Sequence, residues 1–521
     1  MTLFSEGEHR FVDALSRLAY ANPFLPERIT LEREALGRDF DDPSPVWSQQ
    51  VGLADDRPNV RKLASRAEQL AKKIRKKLCG KVPATDSELA LYQDLCYYVL
   101  YYCYWPKLTT TIEPALRDPT TSPSGKVEWW KPYLADFTHY LELPARGLPS
   151  RVEPDHLLAC FFQIHRAFHH IFTFLVGGSM PAARLRAAVW QSIFTHDMRR
   201  YRRTLYRRMG SITTLVTGPS GTGKELVARA VGMSRYIPFD AKTQTFSDGF
   251  RGAFHTLNLS ALSPTLIESD LFGHRRGAYT GALEDRAGWL EKCQPLGTMF
   301  LDEIGELDAA IQVKLLRVLQ NRTFQRIGES EDRHFHGKLI VATNRDLAGE
   351  MRAGRFREDF YYRLCSDMIT TPSLREQLAD EYGNLRNLIL FIARREIDDE
   401  AEALADEVLH WIDKNLGCDY AWNGNIRELE QCVRNVMIRQ DYRPPVTLSA
   451  EAGPQERLVT GMTGGTLTAE ELLRQYCTLV YAKLESYEAT AGQLGLDRRT
   501  VKSKIDRKLL AELKSSDGGT D

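Results

Sequence analysis

SITTLVTGPSGTGKELVARAVG, Ser211 to Gly232, decides the fold of the middle of this chain. A short β-branched, apolar run leads into a glycine loop, and the loop opens a helical pattern. Gly218, Pro219, Ser220, Gly221, Thr222, Gly223 and Lys224 have P-loop spacing. Backbone N–H groups at a helix N-terminus can surround phosphate oxygens there, and Lys224 adds a positive charge near the β- and γ-phosphates. The residue after the lysine is Glu225, not the usual Ser or Thr. A carboxylate that close to phosphate repels it unless it points away, so Glu225 is not expected to replace the hydroxyl on magnesium.

Outward from the loop, GTMFLDEIGEL (Gly297 to Leu307) reads as an apolar strand ending in Asp302 and Glu303. An aspartate at a buried strand end can hold hydrated Mg²⁺, and the adjacent glutamate can orient and polarise an attacking water. A strand-end Asp-Glu alone is more often a solvated turn; its place downstream of a P-loop favours the functional reading. KLIVATNRDL (Lys338 to Leu347) is another strand, ending at Asn344, which either senses a γ-phosphate or caps the strand. Between these elements lies FGHRRGAYTGA, Phe272 to Ala282. Gly277, Ala278, Tyr279, Thr280, Gly281 and Ala282 form a poor helix or strand interior, because glycine relaxes the backbone at a cost in order. An aromatic on such a tip is a core anchor or a binding contact.

The whole chain has 521 residues, is 43% hydrophobic and carries a formal net charge of +0. That length suits about three domains. Balanced charge excludes a global field for nucleic acid, so any such contact needs a local basic patch. The nine cysteines show no CxxC pair, which argues against a zinc site or disulfide scaffold and fits a reducing cytoplasm. No signal peptide and no membrane span is read.

Texture divides the chain. Residues 1–185 read as mostly helical and 186–445 as α/β, which the family resemblance given below divides into an α/β part, 186–370, and a helical lid, 371–445. Residues 446–466 read as a Gly/Pro/Ser/Thr linker and 467–521 as helical again.

Taken together, GPSGTGKELVARAVG, NLSALSPTLIESDLFGHRRGAYTGA, GTMFLDEIGELDAAIQVKLLRVLQ, VATNRDL, GRFREDFYYRL and WNGNIRELEQCVRNV resemble the AAA+ domain of sigma-54-dependent transcriptional activators, the bacterial enhancer-binding proteins. The match runs from about 188 to 439. In that family Glu after the P-loop lysine is usual. The resemblance implies ATP and Mg²⁺ as cofactors, ATPase activity, and a hexameric ring. It makes 277–282 the loop that contacts sigma-54 and moves with nucleotide state, with Tyr279 in place of phenylalanine: the ring is retained and a hydroxyl added. Asn258 falls where the family has the asparagine that restrains the catalytic glutamate, here Glu303. Arg357 and Arg363 match the arginine fingers that reach a neighbouring subunit's site, and Arg427 matches the second sensor, on the lid. A site completed in trans repeats head to tail and closes into a ring.

ATAGQLGLDRRTVKSKIDRK (Ala489 to Lys508) has helix-turn-helix spacing and resembles the Fis-type module that ends many of these activators. Arg498, Arg499, Thr500, Lys502 and Lys504 are its candidate DNA contacts, the first turn facing base edges and the other cations phosphates. Such modules dimerise, so paired half-sites upstream of promoters are expected.

The front segment shows no receiver pattern, so control by phosphorylation is not expected. Its LYQDLCYYVLYYCYWPK (Leu91 to Lys107) is unusually aromatic: a buried helix, a ligand pocket or a dimer interface. His165 and His169, with His170 beside them, are spaced for a metal but lack an acidic or cysteine partner; KLASRAEQLAKKIRKKL (Lys62 to Leu78) reads as a solvated basic face. The function expected is an ATPase that remodels sigma-54 RNA polymerase, with a nucleotide-sensing DNA-binding repressor as the alternative; a general unfoldase fits neither the loop nor the helix-turn-helix.

Overall fold

A computed structural model describes residues 2–41, 58–80, 82–117, 125–144, 147–247, 254–397, 399–444 and 467–507, with a few isolated positions at 458, 459, 462, 509, 510 and 513. The expected linker falls almost wholly outside the described residues. Met1–Ile438 form one compact unit and Arg439–Asp521 a second.

The first unit is built on a parallel five-stranded sheet. Its strands are β1 (Thr214–Thr217), β2 (Phe254–Asn258), β3 (Thr298–Asp302), β4 (Lys338–Thr343) and β5 (Asp367–Thr370), in spatial order β5-β1-β4-β3-β2. Parallel pairing needs crossovers that cover both faces, so the strands are apolar on both sides. Alternation sorts them. Leu215, Met299, Leu301, Leu339 and Val341 face one core, where Ile267, Leu271, Ile311, Leu315 and Phe360 from three helices pack. Val216, Phe300, Ile340, Ala342 and Ile369 face the other.

That second face is covered by the helix Lys224–Gly232 together with Pro154–Phe174 and Met180–Phe194, two helices from the front of the chain. Ala167, Ile171, Val189, Trp190, Ile193 and Phe194 share one core with Val216 and Ile340. The expected boundary at 185/186 therefore falls inside a helix. The physical reason is that the sheet's apolar face requires a cover, and these helices supply it.

In front of them stand helices Glu6–Tyr20, Glu27–Leu36, Pro58–Cys79, Asp86–Arg117 and Trp130–Leu141. The aromatic stretch lies in Asp86–Arg117, with Tyr92, Tyr97, Tyr98, Tyr101 and Tyr104 all buried. His165 is buried too, its ring edge-on to Trp105 and its Nε2 3.1 Å from Thr109 Oγ1; burial lowers its pKa to about 4. Among the described residues no helix is long and apolar enough to cross a membrane.

After β5 comes a helical lid: Leu374–Asp380, opened by a Ser373–Glu376 capping box, then Asn384–Glu396, Ala401–Asn415 and Asn425–Arg439. The second unit holds Ala469–Leu484, Tyr487–Leu494 and Arg498–Lys504. Gly495, at φ 66°, makes the turn between the last two helices, and Ala491 and Val501 are buried between them.

Candidate functional site

The glycine loop runs from β1 to the N-terminus of Lys224–Gly232 with Gly218, Gly221 and Gly223 at φ 139°, 77° and 86°. Lys224 is buried, and its Nζ donates to the carbonyls of Gly218 and Pro219, 3.1 Å each. It thus braces the loop from within. Burial lowers its pKa, against the opposite pull of Glu303 and Asp302. Thr222 donates to the Pro219 carbonyl (2.8 Å), and its Oγ1 lies 2.6 Å from that of Thr371, which donates to the Thr217 carbonyl (3.1 Å). Glu225 turns outward to Arg229, 2.8 Å away one helical turn on. Its charge is thereby directed away from the loop mouth, as the sequence requires of it.

The carboxylates stand at the end of β3, beside β1's neighbour β4. Asp302 is half-buried; burial raises its pKa, and Glu303 raises it further. Glu303 sits in the left-handed region (φ 57°, ψ 52°), a conformation that costs a non-glycine residue of order 1 kcal/mol and collects at functional sites. Its Oε2 accepts from the Asn344 backbone N–H at 3.2 Å, so the end of β4 orients this carboxylate. Asn258 is paired in register with Asp302, but its Oδ1 accepts from the Ser260 N–H (3.0 Å) and hydroxyl (2.8 Å). The asparagine and the glutamate are engaged elsewhere rather than with each other.

The lid closes on the loop. Asn425 Nδ2 donates to the Ser220 carbonyl at 2.9 Å, and Asn425 Oδ1 accepts from the Leu374 N–H at 2.9 Å. Arg427 reaches Ser220 Oγ at 3.3 Å. Thr371 and Asn425 were missed by sequence reasoning. Asn425 lies inside WNGNIRELE, whose internal asparagine was the available signal; nothing local marks Thr371.

Arg357 precedes, and Arg363 lies in, the helix Glu358–Leu364. Arg357 is exposed and forms a two-pronged pair with Asp359 (3.0 and 2.8 Å); Arg363 is exposed.

The 277–282 loop is carried on two antiparallel pairs, Gly273–His274 with Arg286–Ala287 and Thr323–Phe324 with Arg333–His334. Ion pairs stiffen its base: Arg275 with Asp285 (2.7 Å) and Glu329 (2.5 Å), and Arg333 with Glu329 (3.2 Å) and Glu291 (3.0 Å). The tip turns on Gly277 N–H to Ala282 carbonyl (2.8 Å). Tyr279 folds back edge-on to His274, centroids 5.1 Å apart, with its hydroxyl 3.4 Å from Ser269 Oγ. Thr280 is exposed, and so is Leu283, at 80%.

In the second unit Arg499 and Lys502 are exposed; Arg498 pairs with Glu488 (3.0 Å), Lys504 with Glu470 (2.8 Å), and the Thr500 N–H donates to the capping Asp497 (2.9 Å).

The donor set fits a nucleotide phosphate chain with a hydrated divalent cation: a helix N-terminus, a loop ammonium, and two carboxylates on the adjoining sheet. Sheet order, loop, strand-end acids and helical lid define a P-loop nucleotide-binding domain of the AAA+ type. Residues 193–370 match the family described as Sigma-54 interaction domain. The match covers about a third of the chain, and the likeness is to the AAA+ domain of sigma-54-dependent enhancer-binding proteins. The chain is 35% identical over 299 residues to Nitrogen fixation protein AnfA of Azotobacter vinelandii, covering 57% of this chain and 52% of the relative. It is 36% identical over 308 residues to Transcriptional regulatory protein ZraR of Escherichia coli (strain K12), covering 57% and 63%. The chain thus spans between half and two thirds of the length of these relatives. Among solved structures, NtrX from Brucella abortus in complex with ATP shares 21% identity at a TM-score of 0.38, covering 78% of this chain and 86% of that one.

Proposed function

We propose that this chain is a sigma-54-dependent transcriptional regulator that hydrolyses ATP in a homo-oligomeric, hexameric ring and remodels the sigma-54 RNA polymerase closed complex into the open one. The carrying observation is the conjunction, within the matched residues, of a braced P-loop with Asp302 and Glu303 and a stiff-based loop ending in Tyr279 and Thr280. ATP with Mg²⁺ supplies the phosphoanhydride bond whose cleavage drives the cycle. Gly218 to Gly223 and Lys224 hold phosphate oxygens. Asp302 holds the cation through water, and Glu303 polarises the attacking water. Asn344 positions Glu303 through its backbone and stands beside the γ-phosphate. Asn258 acts as the switch on Glu303 when it leaves Ser260.

Arg357 and Arg363 serve the neighbouring subunit. Their exposure supports that reading, since a guanidinium held over its own mouth would not reach across; in trans it neutralises charge developing on the phosphoryl group. Arg427 and Asn425 tie lid position to the loop. Residues 467–521 hold the ring on upstream DNA through Arg498, Arg499, Thr500, Lys502 and Lys504, in the cytoplasm. Residues 1–185 act as the regulatory domain.

The test is Thr280→Ala. ATPase activity should be kept, while open-complex formation on a sigma-54 promoter is lost. Full activation by this variant rules the loop reading out; wild-type protein that forms no open complex makes the repressor the better account.

A further inference from the structure

A cavity of about 140 Å³ lies among the front helices, against Met180–Phe194 and Met198–Arg203. Its lining combines Phe161, Phe168, Trp190 and Phe194 with Tyr97, Arg202, Asp94 and the Arg28–Glu32 pair. A dry pocket of ~150 Å³ admits benzene, so this volume suits a single ring with a small substituent.

The polar lining is not fully paired. Asp94 is already taken by Ser16 (2.7 Å), Tyr20 (2.5 Å) and Arg199 (2.7 Å). Arg28 and Glu32 pair with each other at 2.5 Å. Arg202 has no such partner among the described residues: its guanidinium lies 4.0 Å from the Tyr97 ring centre and 5.9 Å from that of Tyr20. The Tyr97 side chain is 95% buried, and its hydroxyl has no hydrogen-bond partner among the described residues. Nearby Gln93 is held by the Ser150 backbone at both its Nε2 and its Oε1 and can offer Tyr97 only its second N–H, which leaves the Tyr97 O–H without an acceptor. A guanidinium with no direct ion pair, acted on by Asp94 only at longer range, and a buried hydroxyl left unsatisfied are two groups that one monoanion would satisfy together.

We infer that this cavity binds a small aromatic monocarboxylate, its carboxylate on Arg202 and the Tyr97 hydroxyl and its ring against Phe161, Phe168, Trp190 and Phe194. Arg202 can offer two parallel N–H donors to the carboxylate. Trp190 and Phe194 themselves share one core with Val216 of β1 and Val227 of the P-loop helix. The occupant thus touches the layer that covers the parallel sheet, and its class of action is regulatory.

Calorimetry on the full chain, without nucleotide or polymerase, tests the site with benzoate, benzyl alcohol and acetate as probes. Benzoate should bind once per chain, with benzyl alcohol and acetate at least about tenfold weaker. Arg202→Gln should weaken benzoate about tenfold or more, Arg202→Lys less, and Tyr97→Phe by several-fold with an unchanged melting temperature. Benzoate failing to bind at millimolar concentration, benzyl alcohol matching it, or Arg202→Gln binding as wild type while melting normally would each overturn the proposal. Because binding is read apart from transcription, these outcomes are independent of the sigma-54 reading.

Discussion

Gly221 is where loop and lid meet, and its substitution by alanine measures that contact. A Cβ there would lie 2.2 Å from the Gly424 carbonyl oxygen and 3.2 Å from Arg427 Cβ. Ordinary contact begins about 1 Å further out, so the lid must retreat by roughly that much. Such a shift carries Asn425 Nδ2, now 2.9 Å from the Ser220 carbonyl, and Arg427, now 3.3 Å from Ser220 Oγ, beyond hydrogen-bonding range. Two such bonds contribute about 1 kcal/mol each, and an alanine at φ 77° costs about 1–2 kcal/mol more. The sum, about 3–4 kcal/mol, corresponds to a loss of roughly 100- to 1,000-fold.

Gly223 is the internal control. At φ 86° it carries the same backbone penalty, but the nearest atom to its Cβ is 3.6 Å away, on Leu226 of its own helix. Binding of a fluorescent ATP analogue should therefore fall about tenfold in Gly223→Ala and by at least a further tenfold in Gly221→Ala. Equal losses refute the reasoning, because shared strain alone would then explain both.

Glu303→Gln should bind the same analogue as wild type while turnover drops about 10²- to 10⁴-fold, measured by phosphate release; normal turnover removes Glu303 from its role. Lys338, at the start of β4, is 3% exposed and its ammonium donates to the Ile212 carbonyl (2.9 Å); burial lowers its pKa to about 8. Below that pH the charge is carried in both states and burdens the folded one. Above it the unfolded chain binds more protons, so stability rises with pH until the unfolded lysine titrates too. Lys338→Met should raise the melting temperature at pH 7, by the equivalent of at most about 3 kcal/mol, with the gain shrinking between pH 8 and 10; a pH-independent difference contradicts this. Arg499→Ala should cost about 1–3 kcal/mol on a specific site and less on random DNA, compared by titration at fixed salt; equal losses make it a phosphate contact.

Much of the site was legible because its parts are contiguous. A phosphate cradle is one loop at one helix end, and its glycines and lysine must be neighbours in sequence to be neighbours in space. Asp302 and Glu303 announced themselves at the end of an apolar strand, and the 277–282 loop by glycines bracketing a tyrosine. Thr371 was silent: its hydroxyl matters only because β5 lies beside β1, bringing it to Thr222 across 149 positions. Asn258 shows the reverse. The family resemblance placed it beside the strand-end acids, and the register does pair it with Asp302, but its side chain turns to Ser260.

Sequence alone settled the α/β P-loop core and the order of the chemical groups along the chain, since each depends on local periodicity and spacing, and the helical lid through the family resemblance. Only the tertiary structure decided that helices Pro154–Phe174 and Met180–Phe194 are part of the cover of the parallel sheet, and that the aromatic helix Asp86–Arg117 is both buried and lines a cavity beside Arg202. Apolar helices show that they require a partner but not which one. The choice is made by the exposed face of a parallel sheet, which must be removed from water by whatever segment the chain can bring to it.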